Sequence, residues 1–213
     1  MQLSLHNVLP TYFEKSKTSH SEIWNRDLVF EKGDWVKIVA PSGSGKSSLI
    51  SFLYGTRSDF NGVIQYDSSA IRDLPAEQTA ELRRNHVSVV FQDLRLFPQQ
   101  TLQANLEIKR QLNPYHEAGK ITEMATRLGI QDRLQTRAGI CSYGEQQRAA
   151  IIRALLQPFD ILLLDEPFSH LDNANSEKAM ELMLEECRQR KATIIFADLE
   201  RIDYFPCTRL YHL

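Results

Sequence analysis

The segment at 42–47 contains the residue types that proteins use to hold a phosphate group. Its glycines, Gly43 and Gly45, permit positive φ angles and leave room for backbone N–H groups to converge on anionic oxygens. Lys46 can add a point charge, and the Ser47 hydroxyl can reach a divalent cation. A helix that begins near Lys46 would direct the positive end of its dipole at the same anion. We therefore predict a phosphate-binding loop here.

Two adjacent carboxylates, Asp165 and Glu166, follow the apolar run at 161–164. Ligands of parallel α/β sheets bind beyond the carboxyl ends of the strands, so this pair would face a site at the edge of the sheet. A buried strand that ends in a solvated acidic turn is the alternative interpretation. It accounts for one carboxylate, but poorly for the whole stretch at 160–172, which continues through Pro167 into the sequence Phe-Ser-His-Leu-Asp.

The elements that must position these residues alternate between apolar strands and helices. The sequence predicts strands at 3–8, 27–30, 35–40, 61–66, 87–91, 161–165 and 193–197. It predicts helices at 46–54, 75–85, 102–112, 120–128 and 174–190. This alternation is typical of a parallel sheet that helices cover.

The length of 213 residues suits a single α/β domain, 1–213. We predict that its core, which includes an N-terminal antiparallel β part, is formed by 1–91 and 158–213. The stretch 92–157 becomes helical in pattern and is predicted to be an inserted helical subdomain.

Composition excludes several classes of protein. The 25 basic and 27 acidic residues nearly balance, so we expect no nucleic acid as the main partner. No stretch reaches the roughly 20 apolar residues that cross a bilayer. The first ten residues predict a strand rather than a secretion signal. The three cysteines show no metal-type spacing, which is typical of a protein in a reducing compartment.

Four stretches, in this order, carry a resemblance to a known family: APSGSGKSS at 40–48, VVFQD at 89–93, CSYGEQQR at 141–148 and DILLLDEPFSHLD at 160–172. Together they are similar to the nucleotide-binding subunit of an ATP-binding cassette (ABC) transporter. The resemblance implies a P-loop NTPase fold of ABC type, binding of ATP and Mg²⁺, and ATP hydrolysis. The loop after the first strand and the basic sequence at 83–86 look most like the lipoprotein-release, macrolide-export and cell-division branch.

The same resemblance assigns roles to individual residues. The positions of the phosphate loop that would bind the nucleotide are Pro41, Ser42, Gly43, Ser44, Gly45, Lys46, Ser47 and Ser48. Magnesium would be held by Ser47, Gln92 and Asp165. Catalysis would involve Lys46 at the β/γ-phosphates, Gln92 at the attacking water, and Glu166, which would polarise that water.

Ser142, Gly144 and Glu145 occupy the segment that, in this family, meets the ATP held by a second subunit. Tyr143 replaces a glycine of that segment, and Cys141 replaces a leucine. Ser142 followed by Glu145 is also a capping box that would begin a helix. Both interpretations can hold, because a capped helix N-terminus can still offer donors to an anion.

Two further departures from the family pattern concern the reaction. Ala40 replaces the first glycine of the phosphate-loop motif, which costs little if its φ is negative and about 1 kcal/mol if it is positive. Leu199 stands where the family places a switch histidine at the γ-phosphate. Losing such a group typically lowers a rate about 10²- to 10⁴-fold. We therefore expect slow hydrolysis or a rearranged site that uses Asp198 or Glu200, and we interpret His170 as a variable side chain rather than a base.

An aromatic residue after the first strand contacts adenine in this family, and Tyr12 and Phe13 both stand in that region. The spacing to Lys46 favours Phe13, whereas the preceding strand favours Tyr12, and a packing role is open for either. The stretch at 93–98 resembles the groove that receives a permease helix. Leu96 and Phe97 therefore have a partner-binding interpretation beside a core-packing one.

The predicted function is an ATPase that dimerises around ATP, with a second copy or a related subunit, and drives a separate integral membrane permease. Such a subunit would lie on the cytoplasmic face of the inner or plasma membrane. The alternative is a nucleotide-gated scaffold of a membrane complex with little turnover, which Leu199 and Tyr143 favour. A nucleic-acid-associated ABC ATPase is disfavoured by the balanced charge and by the lack of a coiled-coil insertion.

Overall fold

A computed structural model of the chain describes residues 1–13, 20–199 and 204–213. Its strands are Leu3–Pro10 (β1), Asp27–Phe30 (β2), Trp35–Val39 (β3), Phe60–Tyr66 (β4), Ser69–Ala70 (β5), Val87–Val90 (β6), Ile161–Asp165 (β7), Thr193–Asp198 (β8) and Arg209–His212 (β9). Its α-helices are Lys46–Leu53 (α1), Ala76–Asn85 (α2), Leu102–Leu112 (α3), Gly119–Arg127 (α4), Tyr143–Leu155 (α5) and Asn173–Arg190 (α6). Within the described ranges, no helix is long and apolar enough to cross a membrane.

The strands form two sheets. The first is antiparallel, in the order β2-β1-β4-β5. The second is parallel, in the order β6-β7-β8-β3-β9. The predicted α/β class, with a parallel core and an N-terminal antiparallel part, is therefore confirmed.

The central strands β7 and β8 are buried at every position. Alternate side chains of β7 enter two different cores. Leu162 and Leu164 pack with α3, α4, α5 and α6, whereas Ile161 and Leu163 pack with α1 and the antiparallel sheet. A strand covered on both faces must be apolar throughout, which explains the uninterrupted run that ends at Asp165.

Most of the predicted elements are present, with ends that differ by one or two residues, but the sequence did not predict β5 and β9. β5 has only two residues. β9 alternates between half-buried and exposed positions at the edge of the parallel sheet, so it has no apolar run to detect. The segment 92–157 contains α3, α4 and α5. The division into core and helical subdomain stays a prediction, and residues 14–19 and Glu200 lie outside the described part.

The parallel sheet brings three chain segments to one edge. The loop toward α1 follows β3, Gln92 follows β6, and Asp165 ends β7. Because all three strands run in the same direction, the residues beyond their carboxyl ends meet at that edge.

Candidate functional site

The loop between β3 and α1 has a backbone that requires glycine. Gly45 caps α1 with a φ of 98°. A Cβ atom there would lie 3.0 Å from the Phe13 ring and 3.1 Å from the Trp24 ring. The Trp24 indole N–H donates to the Ser44 carbonyl over 3.3 Å and holds the loop from behind. Both the backbone angle and the lack of space therefore exclude other residues at position 45.

Ala40 causes no backbone strain, because it is not among the residues with positive φ. Its carbonyl oxygen accepts a 2.8 Å hydrogen bond from Lys46 Nζ. Because a backbone carbonyl accepts this hydrogen bond, the methyl group of Ala40 in place of glycine does not disturb the contact with Lys46.

Lys46 is buried, and its ammonium group has three acceptors. Besides the Ala40 carbonyl, Nζ donates to the Pro41 carbonyl over 3.1 Å and lies 3.4 Å from Glu166 Oε1. Glu166 has a φ of 47°, and its N–H donates to the Ala197 carbonyl over 2.9 Å. This left-handed turn after β7 directs the carboxylate back toward α1. Strained residues of this kind cluster at functional sites.

Three side chains that carry oxygen atoms, those of Ser47, Gln92 and Asp165, line a cavity beside Lys46 and Glu166. The Ser47 hydroxyl donates to Gln92 Oε1 over 3.4 Å. Asp165 Oδ1 is buried and has no hydrogen-bond partner among the residues that the structure describes. Burial and, to a lesser extent, the charge of Glu166 raise the pKa of Asp165 to about 6, against the opposing effect of a hydrogen bond from Ser47. An unpaired buried carboxylate oxygen is unfavourable without a cation, and Mg²⁺ prefers oxygen ligands, so these residues fit that ion.

A cavity of about 340 Å³ joins most of the predicted nucleotide-binding residues. It is lined by Tyr12, Phe13, Ser42, Gly43, Gly45, Lys46, Ser47, Ser48, Gln92 and Glu166. Pro41 and Ser44 do not line it, and the Ser44 hydroxyl is buried without a partner. A second cavity of about 360 Å³ shares Ser47 and Gln92 with the first and also reaches Asp165 and Tyr143.

The two candidate adenine contacts differ in environment. The Tyr12 ring is exposed, its hydroxyl bonds to Ser48 Oγ over 2.6 Å, and the Arg57 guanidinium lies 5.3 Å from its centroid. Phe13 packs edge-on against Trp24 with centroids 6.0 Å apart. Both rings line the first cavity, so a packing role for Phe13 coexists with a nucleotide contact. The choice between them stays a prediction.

Ser142, Gly144 and Glu145 lie at the N-terminus of α5 and do not line the first cavity. The predicted capping box is confirmed: Ser142 Oγ accepts from the Glu145 N–H over 3.3 Å, and the Glu145 carboxylate accepts from the Ser142 N–H over 2.8 Å. A Cβ atom on Gly144 would lie 3.1 Å from the His170 carbonyl oxygen. The helix start therefore packs tightly against the loop that follows β7.

Leu199 lies just beyond β8 and lines a cavity of about 130 Å³ with Glu166 and Asp198. The other lining residues are Phe168, Ser169, Leu171, Asn173 and Ser176, so no histidine borders this cavity in the described part of the chain. His170 instead places its ring edge-on against Tyr143, with centroids 4.2 Å apart.

Sequence reasoning missed one residue that links the helical segment to the carboxylates. Gln147 is fully buried, its amide nitrogen donates to the Glu166 carbonyl over 3.3 Å, and its Oε1 accepts from the His170 N–H over 3.0 Å. An amide side chain on the buried face of a helix is a signal for such a role, because buried polar groups need partners.

Comparison with known proteins places the chain among transport ATPases. The family model described as "ABC transporter" matches residues 24–169. The aliphatic sulfonates import ATP-binding protein SsuB of Bacillus anthracis is 33% identical over 190 residues, which cover 89% of this chain and 72% of that protein. The macrolide export ATP-binding/permease protein MacB of Shewanella sp. (strain W3-18-1) is 34% identical over 167 residues, 75% of this chain but only 25% of that protein.

Solved structures agree with these relatives. A dimeric, post-hydrolysis structure of the ATP-binding cassette MJ0796 bound to ADP and Pi has a TM-score of 0.79 and 27% sequence identity. The match covers 92% of this chain and 87% of that one. A second dimeric structure of MJ0796, described as a bacterial ABC transporter cassette, also has a TM-score of 0.79.

Proposed function

Because the chain belongs to the ABC transporter family and is an ATP-binding cassette of it, we propose that it pairs around ATP with a second copy or a related subunit and drives a separate integral membrane permease. The observation that carries this proposal is the convergence of Lys46, Ser47, Gln92, Asp165 and Glu166 at one edge of the parallel sheet. The two cavities that these side chains line share Ser47 and Gln92, which supports a single site.

Bound Mg²⁺-ATP supplies the phosphoryl group that is transferred to water. Lys46 would exchange its carbonyl partners for phosphate oxygens. Ser47, Gln92 and Asp165 would hold the metal ion, and Glu166 would orient and polarise the attacking water. Such a site works by position and charge rather than by covalent chemistry, so it depends on groups that are held before the substrate arrives.

The phosphate loop and the start of α5 would belong to different ATP sites of the dimer. Ser142, Gly144 and Glu145 lie outside the cavity of their own chain, at a helix N-terminus that favours anions. We propose that these residues meet the ATP held by the second subunit. The dimeric state of the similar cassette MJ0796 supports this arrangement.

A groove beside Gln92 is the proposed contact with the permease. Leu96 packs against the core, whereas Phe97 is 55% exposed, so the two residues have different roles. Phe97 lines a cavity of about 320 Å³ with Ile108 and Leu112, which are also exposed. An exposed apolar groove of this kind typically marks an interaction site.

The groove also carries uncompensated positive charge. Burial, together with the charges of Arg153 and Arg83, lowers the pKa of Lys109 to about 8. Within the described residues, Lys109 forms no ion pair. We therefore propose that the permease segment presents apolar side chains together with a carboxylate. Binding of that partner would hold the chain on the cytoplasmic face of the membrane.

ATP turnover and ATP binding of the purified chain test the proposal. Glu166→Gln should lower turnover at least about 100-fold and leave nucleotide binding intact, because the amide cannot polarise water. Glu185→Gln, on the surface of α6, is the matched control and should leave both unchanged. Turnover that survives Glu166→Gln would contradict the assigned mechanism.

A second candidate function is a nucleotide-gated scaffold that binds ATP with little turnover, and the apolar Leu199 beside Glu166 favours it. Leu199→His restores a polar group at that position. A large rise in turnover would identify the missing histidine as the limiting feature, as the scaffold hypothesis requires. If the wild type hydrolyses ATP rapidly and Leu199→His does not change that rate, the transport ATPase remains the proposed function.

A further inference from the structure

Tyr143, the first residue of α5, contacts two loops of the candidate site. Its hydroxyl donates to the backbone carbonyl of Gln92 over 3.0 Å. Its ring lies edge-on against His170, with centroids 4.2 Å apart. The His170 backbone is in turn fixed by Gln147. A glycine at position 143 could make neither contact, so the departure from the family pattern adds interactions rather than removing them.

The segment that Tyr143 holds is a strained turn. Leu94 and Arg95 both have left-handed backbones, with φ angles of 55° and 49°. Their carbonyl oxygens accept hydrogen bonds of 2.5 and 2.6 Å from the Arg153 guanidinium. Non-glycine residues adopt this conformation only when surrounding contacts impose it.

Both contacts to the turn come from one helix. Tyr143 begins α5, and Arg153 lies ten residues further along it, which is about 15 Å of helix. Tyr143, at the start of α5, therefore contacts Gln92, and Arg153, further along the helix, contacts residues 94 and 95. The position of the Gln92 backbone is therefore linked to the position of the N-terminus of α5.

The Gln92 side chain extends from this held backbone to Ser47, where Oε1 accepts from Oγ over 3.4 Å. Tyr143, Gln92, Ser47 and Asp165 all line the same cavity. The Tyr143 hydroxyl thus restrains the Gln92 carbonyl. The side-chain amide of Gln92 meanwhile lies beside Ser47, one of the proposed metal ligands.

We propose that Tyr143 is a positioning residue of the ATPase site, which fixes the Gln92 backbone of its own chain so that the Gln92 amide meets the metal and the attacking water. The proposal rests on the function proposed above. It gives Tyr143 a role within one chain, whereas its neighbours Ser142 and Gly144 are assigned to the ATP of the second subunit.

Tyr143→Phe removes the hydroxyl and keeps the ring against His170. We expect kcat to fall about 3- to 10-fold, the effect of one lost hydrogen bond, with the KM for ATP changed less than about twofold. Tyr143→Gly should lower kcat further. Tyr115→Phe is the control, since Tyr115 has similar exposure, 46% against 43%, and packs elsewhere, beside His116. An unchanged or raised kcat in Tyr143→Phe, or an equal effect of Tyr115→Phe, would overturn the proposal.

Amide hydrogen exchange supplies a readout that does not depend on turnover. In Tyr143→Phe, the amides at 92–95 should exchange at least about threefold faster than in the wild type, because the strained turn loses one of its contacts with α5. The control variant should leave them unchanged. Faster exchange in Tyr143→Phe would support the positioning role of Tyr143 even if turnover survived Glu166→Gln, a result that would refute the role assigned to Glu166. The failure of one proposal can therefore be distinguished from the failure of the other. Exchange at wild-type rates would overturn the proposal.

Discussion

Replacing Glu186 with glutamine should lower the free energy of unfolding by about 3 kcal/mol. Glu186 is fully buried on α6. Its Oε2 atom lies 2.9 Å from His116 Nε2 and forms an ion pair with Arg190, and Lys120 lies 3.8 Å from Oε1. Burial alone would raise the pKa of this carboxyl group. The contacts with His116 and Arg190 overcome that effect and hold the pKa at about 2.

Two related arguments give the magnitude. A pKa lowered from 4.5 to about 2 favours the charged, folded form by about 3 kcal/mol. Removing the carboxylate also leaves Arg190, whose side chain is 4% exposed, facing a neutral amide, and breaking a buried pair on one side costs about 3–5 kcal/mol. For a chain of this size, the melting temperature should fall by about 6–12 °C.

The matched control is the neighbouring residue. Glu185 pairs with Arg127 over 2.7 Å, but the two side chains are 45% and 35% exposed. Exposed ion pairs contribute about 0.2–1 kcal/mol, so Glu185→Gln should change little. Urea denaturation and thermal denaturation of the two variants measure the difference directly.

The pH dependence has a defined sign. Because the folded-state pKa of Glu186 is depressed, its stabilisation is fully present above about pH 4.5 and is lost as the pH falls toward 2. The difference in the free energy of unfolding between the wild type and Glu186→Gln should therefore become smaller as the pH falls from about 4.5 to 2. Two results would contradict this prediction. One is an equal loss of unfolding free energy in Glu186→Gln and Glu185→Gln at neutral pH, and the other is a difference between the wild type and Glu186→Gln that stays constant down to pH 2.

Two other buried charges should destabilise the nucleotide-free protein. Asp165→Asn should raise the free energy of unfolding by about 3 kcal/mol at pH 7, since the raised folded pKa means that wild-type stability falls as pH rises from about 4 to 6. Urea denaturation should show this gain vanishing below pH 4, and a loss of stability at pH 7 would contradict it. Lys109→Met should add about 1 kcal/mol at pH 7, because the depressed pKa makes wild-type stability rise between about pH 8 and 10.5. A gain that persists unchanged at pH 10.5 would show that packing, not charge, is responsible.

The sequence predicted those parts of the site that short segments determine. The phosphate loop, the carboxylates Asp165 and Glu166, and the capping box at Ser142 each depend on residues within a few positions of one another. The contact between Tyr143 and the Gln92 carbonyl joins residues 51 positions apart, so it depends on where α5 lies relative to β6. No local pattern contains that information. The same reason explains why Trp24 behind the phosphate loop was missed.

Ala40, Tyr143 and Leu199 depart from the family pattern at different places in the site. The place of each residue determines whether it can affect ATP binding or hydrolysis. Ala40 lies at the start of the phosphate loop, where only its carbonyl contacts Lys46, so nucleotide affinity should be ordinary. Leu199 borders a cavity with Glu166, and Tyr143 borders a cavity with Gln92, where the γ-phosphate and the attacking water are proposed to bind. Interactions made there act mainly in the transition state and therefore change kcat more than affinity. The missing histidine at position 199 should therefore slow hydrolysis without weakening ATP binding, whereas the contact of Tyr143 with the Gln92 carbonyl should support hydrolysis.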